Sequence, residues 1–129
     1  MFKDAKAFSS FSVDDIDRAL SFYKDTLGLD AERTPEGISI RLPFGGNVFI
    51  YPKPDHQAAT YTMLNFSVPD IEKTVVDLVG QGIAMQQYDM DMLKTDERGI
   101  ARTPEGAPGP RAMAWFKDPA GNIIGVMQE

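Results

Sequence analysis

Few side chains in this sequence have the chemistry of a catalytic or metal-binding group. His56 is the one histidine and cysteine is absent, which excludes a two-histidine metal centre and a thiolate nucleophile. With a single histidine, Ser-His-Asp triad chemistry has almost no support, and no glycine-rich phosphate loop or nucleophile elbow is present. His56 follows Pro52 and Pro54 in a proline-containing linker. An exposed linker histidine is the favoured interpretation, and a general base, suggested only by residue type, is the alternative.

Charged side chains of both signs gather between residues 89 and 98. They are Asp89, Asp91, Lys94, Asp96, Glu97 and Arg98. Alternating charges in a loop are typical of a solvated surface, and a metal site is the weaker alternative. Arg41 and Arg111 are candidate partners for an anion because each stands where a strand meets a turn. An ordinary surface arginine is the favoured interpretation of each, and an anion partner is the alternative.

Apolar side chains in the C-terminal half suggest a different kind of site. Five methionines and the single tryptophan cluster there: Met85, Met90, Met92, Met113, Met127 and Trp115. Unbranched thioethers and an indole can line an adaptable pocket, and they can equally pack as ordinary core. Strand alternation sets Met113 and Trp115 on one face, with Ala114 and Phe116 on the other. We favour the first pair as the one that faces a pocket.

Composition describes one acidic globular domain. The chain has 129 residues, 43% of them hydrophobic, and a net charge of −6. This charge argues against nucleic-acid and membrane partners, which require a basic surface. No apolar run approaches the roughly 20 residues of a membrane span, and the polar N-terminus has no signal-peptide core. We therefore expect a cytoplasmic protein.

The chain repeats itself. Residues 11–16 (Phe-Ser-Val-Asp-Asp-Ile) return as residues 66–71 (Phe-Ser-Val-Pro-Asp-Ile), and residues 46–50 correspond to 121–125. The offset falls from 55 to 54 at the end of the helix and then rises to 75, so the second copy carries about 21 additional residues. Two modules that cannot bury a core alone can do so by pairing, which makes the seam between them the expected place for a ligand.

Each module is predicted to fold as βαβββ, which gives an α+β protein. Module 1 spans about residues 5–52, residues 53–60 form a linker, and module 2 spans about 61–129 with a loop insertion at 89–110. The expected helices cover 16–27, ended by Gly28, and 71–79. The expected strands are 7–13, 29–33, 38–42, 47–51, 62–68, 83–88, 111–117 and 122–128. The insertion is either a lid over the site or a surface loop.

Thr-Pro-Glu-Gly occurs at residues 34–37 and again at 103–106. The offset of 69 is not used elsewhere in the repeat. We interpret these stretches as two similar turns outside the register.

The alternation of the opening strands assigns their faces. Phe11, Val13, Phe66 and Val68 should pack on the helices. The opposite face then carries Phe8, Ser10, Ser12, Met63, Asn65 and Ser67. This mixture of small, polar and apolar side chains suits a concave, partly hydrated pocket better than a dry core.

Two motifs resemble a known family. They are residues 22–29 (Phe-Tyr-Lys-Asp-Thr-Leu-Gly-Leu) and residues 115–122 (Trp-Phe-Lys-Asp-Pro-Ala-Gly-Asn). Together with the repeat, they resemble the vicinal oxygen chelate superfamily, the glyoxalase, bleomycin-resistance and extradiol-dioxygenase group. The resemblance implies paired modules whose mixed sheets curl into a cup, with the helices on the outer face. It also implies a homodimer, since the family includes cups completed between chains.

The resemblance further implies where a metal would be held. In the family's enzymes the ligands are His, Gln or Glu on the first and last strands of each module. The matching positions here are Phe8, Ile50, Met63 and Gly125. None of these side chains ligates a divalent cation, and a shift of one residue supplies no suitable set. We therefore predict a member of the family with no metal, no cofactor and no catalytic residue.

The favoured function is metal-independent binding of a small hydrophobic or aromatic molecule, as in the drug-sequestering branch of the family. The expected lining residues are Phe8, Ser10, Ile50, Met63, Asn65, Met113, Trp115 and Gly125. One alternative is a glyoxalase- or dioxygenase-like enzyme, which requires a stoichiometric divalent metal. The other is a protein-interaction module without a small ligand.

Overall fold

One arrangement of strands and helix occurs twice in this chain. The computed structural model describes residues 1–129, which divide into two units, Met1–Ala58 and Ala59–Glu129. The boundary lies inside residues 53–60. Each unit contains a mixed four-stranded sheet and a helix, so the α+β class and the tandem modules are confirmed. Neither helix is long and apolar enough to cross a membrane.

The first unit follows the order strand, helix and three strands. Its elements are β1 (Ser9–Val13), α1 (Ile16–Leu20), a π-helical segment (Ser21–Thr26), β2 (Asp30–Thr34), β3 (Gly37–Arg41) and β4 (Asn47–Pro52). The strand order across the sheet is β1-β4-β3-β2. β1 and β4 are parallel, and the other neighbours are antiparallel.

A capping carboxylate begins the first helix, and the predicted glycine ends it. The carboxylate of Asp15 caps the start by accepting hydrogen bonds from two backbone N–H groups at 3.1 Å. The N–H of Leu27 bonds the carbonyl of Phe22 at 2.9 Å, a spacing of five residues that widens the last turn. Gly28, at φ 74°, ends the helix because a glycine adopts this left-handed conformation without strain.

The helix covers one face of the first sheet. The ring of Phe11 packs against Tyr23, with centroids 5.9 Å apart. In the register, Phe11 lies beside Ile50, which lies beside Ile38, so these three share the helix-covered face and form the core with fully buried Tyr23. The opposite, helix-free face carries Ser10, Ser12, Phe49 and Tyr51.

The second unit adds a hairpin to the same plan. Its elements are β5 (Thr62–Ser67), α2 (Ile71–Gly80), β6 (Asp89–Met90), β7 (Leu93–Lys94), β8 (Ile100–Arg102), β9 (Ala112–Lys117) and β10 (Ile123–Gln128). The main sheet has the order β5-β10-β9-β8, and β6 pairs only with β7. Asp70 caps α2 by accepting from the N–H of Lys73 at 3.1 Å. Ile71, Val75 and Leu78 form the buried face of α2, whereas Val79 is 54% exposed.

The predicted strand at residues 83–88 is wrong. Only Met85 forms a bridge, with Phe116, while the N–H of Gln86 donates to the carbonyl of Trp115 at 2.8 Å. The fourth strand of the sheet is β8, which pairs with the other half of β9 and lies inside the segment predicted as an insertion. The edge of β9 is therefore shared between two short stretches, neither of which has the length of an ordinary strand.

The two Thr-Pro-Glu-Gly stretches, interpreted as similar turns outside the register, lie at the ends of the two edge strands β2 and β8. The first copy begins at the last residue of β2 and leads directly into β3, whereas the second begins just after β8 ends at Arg102. The arginine before each copy contacts the first turn of its helix: Arg33 bonds Asp17 at 2.6 Å, and Arg102 bonds Glu72 at 2.8 Å. Both pairs are exposed, so they contribute little to stability.

Candidate functional site

The lining residues predicted in the first unit do not share one face. Ser10 lies on the helix-free face, and Phe8 precedes β1 with 68% of its surface exposed. Ile50 is fully buried and lies beside Phe11 on the helix-covered face. We therefore remove Ile50 from the proposed lining. Alternation along β4 would have assigned it to the core, because Val48 and Ile50 are aliphatic and alternate with aromatic residues.

Two aromatic rings that were not predicted as site residues lie on this helix-free face. Phe49 and Tyr51 stack with centroids 6.4 Å apart and an angle of 15° between the rings. Each lies beside a serine of β1, Phe49 beside Ser10 and Tyr51 beside Ser12. The face thus combines a flat apolar surface with neighbouring hydroxyl groups.

His56 is not the exposed linker residue that was expected. It is half-buried, and its Nδ1 lies 2.6 Å from Oγ of Ser12. The backbone N–H of Lys53 donates to the carbonyl of Val13 at 2.9 Å. These two contacts hold the segment after β4 against the end of β1. They show a structural role for the histidine, and a general base at this position stays a hypothesis.

We predict that Ser12→Ala lowers the free energy of unfolding by about 1 kcal/mol, the usual net contribution of one hydrogen bond. The His56 ring resonances should also shift, because the ring loses its serine partner. Urea unfolding and heteronuclear NMR measure the two effects. Ser10→Ala is the matched control on the same strand face, and an equal loss in both variants would contradict the role assigned to the Ser12–His56 contact.

In the second unit, three predicted residues form a row across adjacent strands. Asn65 of β5 lies beside Gly125 of β10, which lies beside Trp115 of β9. Trp115 and Met113 are half-buried, whereas Ala114 and Phe116 are fully buried beneath α2. Met113 and Trp115 therefore lie on the helix-free face, and their role in lining a pocket stays a prediction.

Met63 does not follow the alternation assumed for it. The register of β10 against β5 shifts between Ile123 and Ile124, so Met63 has no residue opposite it in the ladder. Thr62 borders Gly125 instead: its Cγ2 would lie 3.1 Å from a Cβ placed there. A bulge of this kind leaves no signature in the sequence. The role of Met63 as a lining residue stays a prediction.

Tyr88 is a neighbour of the site that sequence reasoning missed. Its ring meets Trp115 edge to face, with centroids 5.6 Å apart and an angle of 88°. The backbone of Tyr88 is held by Thr95, whose hydroxyl accepts from the Tyr88 N–H at 2.9 Å. Part of the segment predicted as a loop at 89–110 therefore supports the indole. The sequence offered no signal for this contact beyond the aromatic residue itself.

A divalent metal does not fit the positions that the family resemblance assigns to its ligands. Phe8 and Met63 supply no oxygen or nitrogen donor, Ile50 is turned into the core, and Gly125 has no side chain. A Cβ at position 125 would clash with Oδ1 of Asn65. No three His, Asp or Glu side chains are grouped so that they could hold a metal ion.

Asp96, one of the acidic residues between 89 and 98, stabilises a turn. Oδ1 of Asp96 accepts from the N–H groups of Arg98 at 2.9 Å and Ile100 at 3.0 Å. These hydrogen bonds position the start of β8. Oδ2 of Asp96 also lies 3.7 Å from Arg102. The carboxylate of Asp96 therefore has a structural role.

The arginines proposed as anion partners are exposed. Arg41 ends β3, and Arg111 lines a groove of about 910 Å³ in the second unit. Asp70, Glu72 and Glu105 line the same groove. These carboxylates repel an anion, so the groove does not support the anion-partner hypothesis for Arg111.

Two exposed ion pairs shift pKa values at the surface. Lys53 donates a hydrogen bond to Asp55 at 2.6 Å and lowers the pKa of that carboxyl. Asp77 accepts a hydrogen bond from Lys73 at 2.9 Å and raises the pKa of the lysine. Solvent screens both pairs, so they contribute little to stability.

A buried turn joins β9 to β10 and sets their register. Oδ1 of Asp118 accepts from the N–H groups of Ala120 at 2.9 Å and Asn122 at 2.8 Å. Oδ2 accepts from the side-chain amide of Asn122 at 3.0 Å. Both polar residues are almost fully buried, at 4% and 2% exposure. The turn thereby fixes Gly125 opposite Trp115.

Comparison with known families identifies one match. The family model described as the Glyoxalase/Bleomycin resistance protein/Dioxygenase superfamily matches residues 8–126. No curated protein matches the chain.

Solved structures share the fold over nearly the whole chain. The antibiotic-binding protein TnmS3 from Streptomyces sp. CB03234 is 22% identical, with a TM-score of 0.63 and coverage of 97% of both chains. A lactoylglutathione lyase from Agrobacterium tumefaciens is 19% identical, with a TM-score of 0.66, covering 97% of this chain and 93% of the other. The fosfomycin resistance protein FosX from Listeria monocytogenes is 12% identical, with a TM-score of 0.68 and coverage of 98% and 93%. At these identities the likeness concerns the fold alone.

Proposed function

The chain belongs to the Glyoxalase/Bleomycin resistance protein/Dioxygenase superfamily, and we propose that it binds a small hydrophobic or aromatic molecule without a metal ion. The proposed site is the helix-free face of the second unit, with Met113, Trp115, Gly125 and Asn65 as its residues. The observation that carries the proposal is an indole that is half-buried and steadied by Tyr88, next to a position without a side chain.

Physical chemistry supports an aromatic ligand on this surface. An aromatic ring stacked on an indole gains about 0.5–1.5 kcal/mol beyond the contribution of buried area. The thioether of Met113, which shares the face with Trp115, can adapt to ligands of different shape. TnmS3, which shares the fold, is an antibiotic-binding protein, and this is consistent with a role in binding rather than conversion of a small molecule.

Metal independence is supported by the chemistry of the side chains. Phenylalanine, isoleucine, methionine and glycine stand at the four positions where related enzymes are expected to hold a divalent ion. Such ions prefer carboxylate oxygen or imidazole nitrogen. The function that fits these residues is burial and release of a ligand, with no bond made or broken.

Thermal shift measurements on EDTA-treated protein test the proposal. A panel of flat aromatic compounds should raise the melting temperature equally with and without added Ni²⁺, Zn²⁺, Mn²⁺ or Fe²⁺. A ligand at a hundred times its Kd should stabilise the chain by about 2.7 kcal/mol. Stoichiometric metal in the purified protein, with ligand stabilisation or turnover that requires it, would favour the lyase or oxygenase alternative and contradict the proposal.

We also propose a homodimer as the functional state, on the basis of family membership. Light scattering should then give a mass of twice 14.3 kDa. A dimer that no compound of the panel stabilises would favour the alternative of a protein-interaction module.

A further inference from the structure

The side chain of Asn65 lies over Gly125. A Cβ built on Gly125 would overlap Oδ1 of Asn65 and would lie 3.3 Å from its Cγ. Gly125 is not among the residues with positive φ, so its backbone accepts any amino acid. The requirement for glycine here comes from the space that the Asn65 amide occupies.

The amide of Asn65 has unused hydrogen-bonding capacity. Asn65 is exposed, and its side chain makes no hydrogen bond within the protein. A carboxamide offers an acceptor oxygen and two donor hydrogens. The amide therefore presents a donor and an acceptor to whatever lies on the helix-free face of the second unit.

The position of the indole defines what this amide can contact. Asn65 and Trp115 flank Gly125 on adjacent strands, so their main chains are about 10 Å apart at the usual strand spacing. The Asn65 side chain leans from its own strand toward the middle strand. A bicyclic ligand that stacks on Trp115 can therefore place one edge against the amide.

We propose that Asn65 is the specificity-determining residue of the site, and that it selects flat aromatic molecules with a hydrogen-bond donor and acceptor side by side on one edge. Lactams and cyclic imides have such an edge. They pair with a carboxamide through two antiparallel hydrogen bonds. This inference rests on the proposed function, since it concerns the same face.

Gly125 is part of this selection. Any side chain at position 125 turns the Asn65 amide away, and the amide can move because it is the end of a flexible side chain. The position at which related enzymes are expected to carry a metal ligand thus gives room to a neutral polar group. Gly125→Ala should fold normally and displace the amide without removing it.

Two probes of equal ring size test the inference: isoquinolinone, a lactam, and naphthalene, its hydrocarbon counterpart. Trp115 is the one tryptophan of the chain, so quenching of its fluorescence reports binding directly. Asn65→Ala should weaken isoquinolinone binding about tenfold, the loss expected for two neutral hydrogen bonds. The Kd of naphthalene should change less than about twofold. Ser67→Ala, on the same strand face, is the matched control and should alter neither Kd.

Gly125→Ala provides the second, independent arm. It should cause the same loss for isoquinolinone as Asn65→Ala, and the double variant should lose no more than Asn65→Ala alone, because both changes remove one interaction. Circular dichroism confirms that each variant is folded.

The outcomes separate the inference from the proposed function. If Asn65→Ala binds isoquinolinone as tightly as the wild-type protein, the proposed role of the amide is overturned. Saturable quenching in the same experiment would still support the proposed binding function. A selective loss for the lactam in both single variants supports the inference. If neither probe gives saturable quenching of the wild-type protein, both proposals are overturned.

Discussion

Replacing Asp118 with alanine is expected to lower the free energy of unfolding by about 3 kcal/mol. The carboxylate accepts three hydrogen bonds within the turn between β9 and β10, two of them at 2.8 and 2.9 Å. Without it, the side-chain amide of Asn122, which is 2% exposed, loses a partner in a place that water reaches poorly. The loss of a hydrogen-bond partner costs more in a buried turn than at an exposed surface.

Urea unfolding measures this loss, and Asp118→Asn is the matched comparison. An asparagine keeps an oxygen for the two backbone N–H groups but sets its own amide against that of Asn122. We expect it to cost about 1 kcal/mol, the value of one hydrogen bond. If Asp118→Ala and Asp118→Asn lower the free energy of unfolding equally little, the turn does not depend on the carboxylate. The register of Gly125 with Trp115 must then have another origin.

The second large effect concerns ligand binding by Trp115. Trp115→Ala should weaken naphthalene binding about thirtyfold, equivalent to about 2 kcal/mol. The variant loses both the apolar area of the indole and the stacking contribution. Because the fluorescent reporter is lost with the side chain, isothermal titration calorimetry is the measurement.

Met92→Ala is the control for this experiment. Met92 belongs to the same group of methionines in the sequence, yet it is 97% exposed at the turn of the β6–β7 hairpin. Its removal should leave the naphthalene Kd unchanged. Equal affinity of wild-type protein and Trp115→Ala would place the ligand away from the indole and contradict the proposed site.

Local signals explain why much of the fold could be predicted from the sequence. Asp15 and Asp70 cap the two helices, Gly28 ends the first, and the period of the apolar residues identifies the covered faces. Each of these effects acts within a few residues, so the sequence alone expresses it. Simple alternation likewise separates Met113 and Trp115 from the buried pair Ala114 and Phe116.

The wrong strand prediction arises where two segments that are distant in sequence from β9 pair with the same edge of that strand. β8 has only three residues, and its pairing with β9 depends on contacts that no local pattern expresses. The second Arg-Thr-Pro-Glu-Gly, at residues 102–106, was the available signal for this strand.

In the candidate site, too, local patterns could be predicted from the sequence, whereas features that depend on strand pairing could not. Ile50 was assigned to the lining by carrying over a family position, although the alternation of β4 indicated the core. The bulge at Met63 and the Ser12–His56 contact depend on register and on a separation of 44 residues. The overlap of Asn65 with position 125 is likewise visible only once the strands are paired.

A crystal structure of the protein grown with isoquinolinone would test the central claim most directly. We predict that the ring lies against Trp115, that its lactam edge faces Asn65, and that no protein side chain coordinates a metal ion beside it. A divalent ion held by the chain and contacting the ligand, or a ring bound away from the indole, would contradict the account.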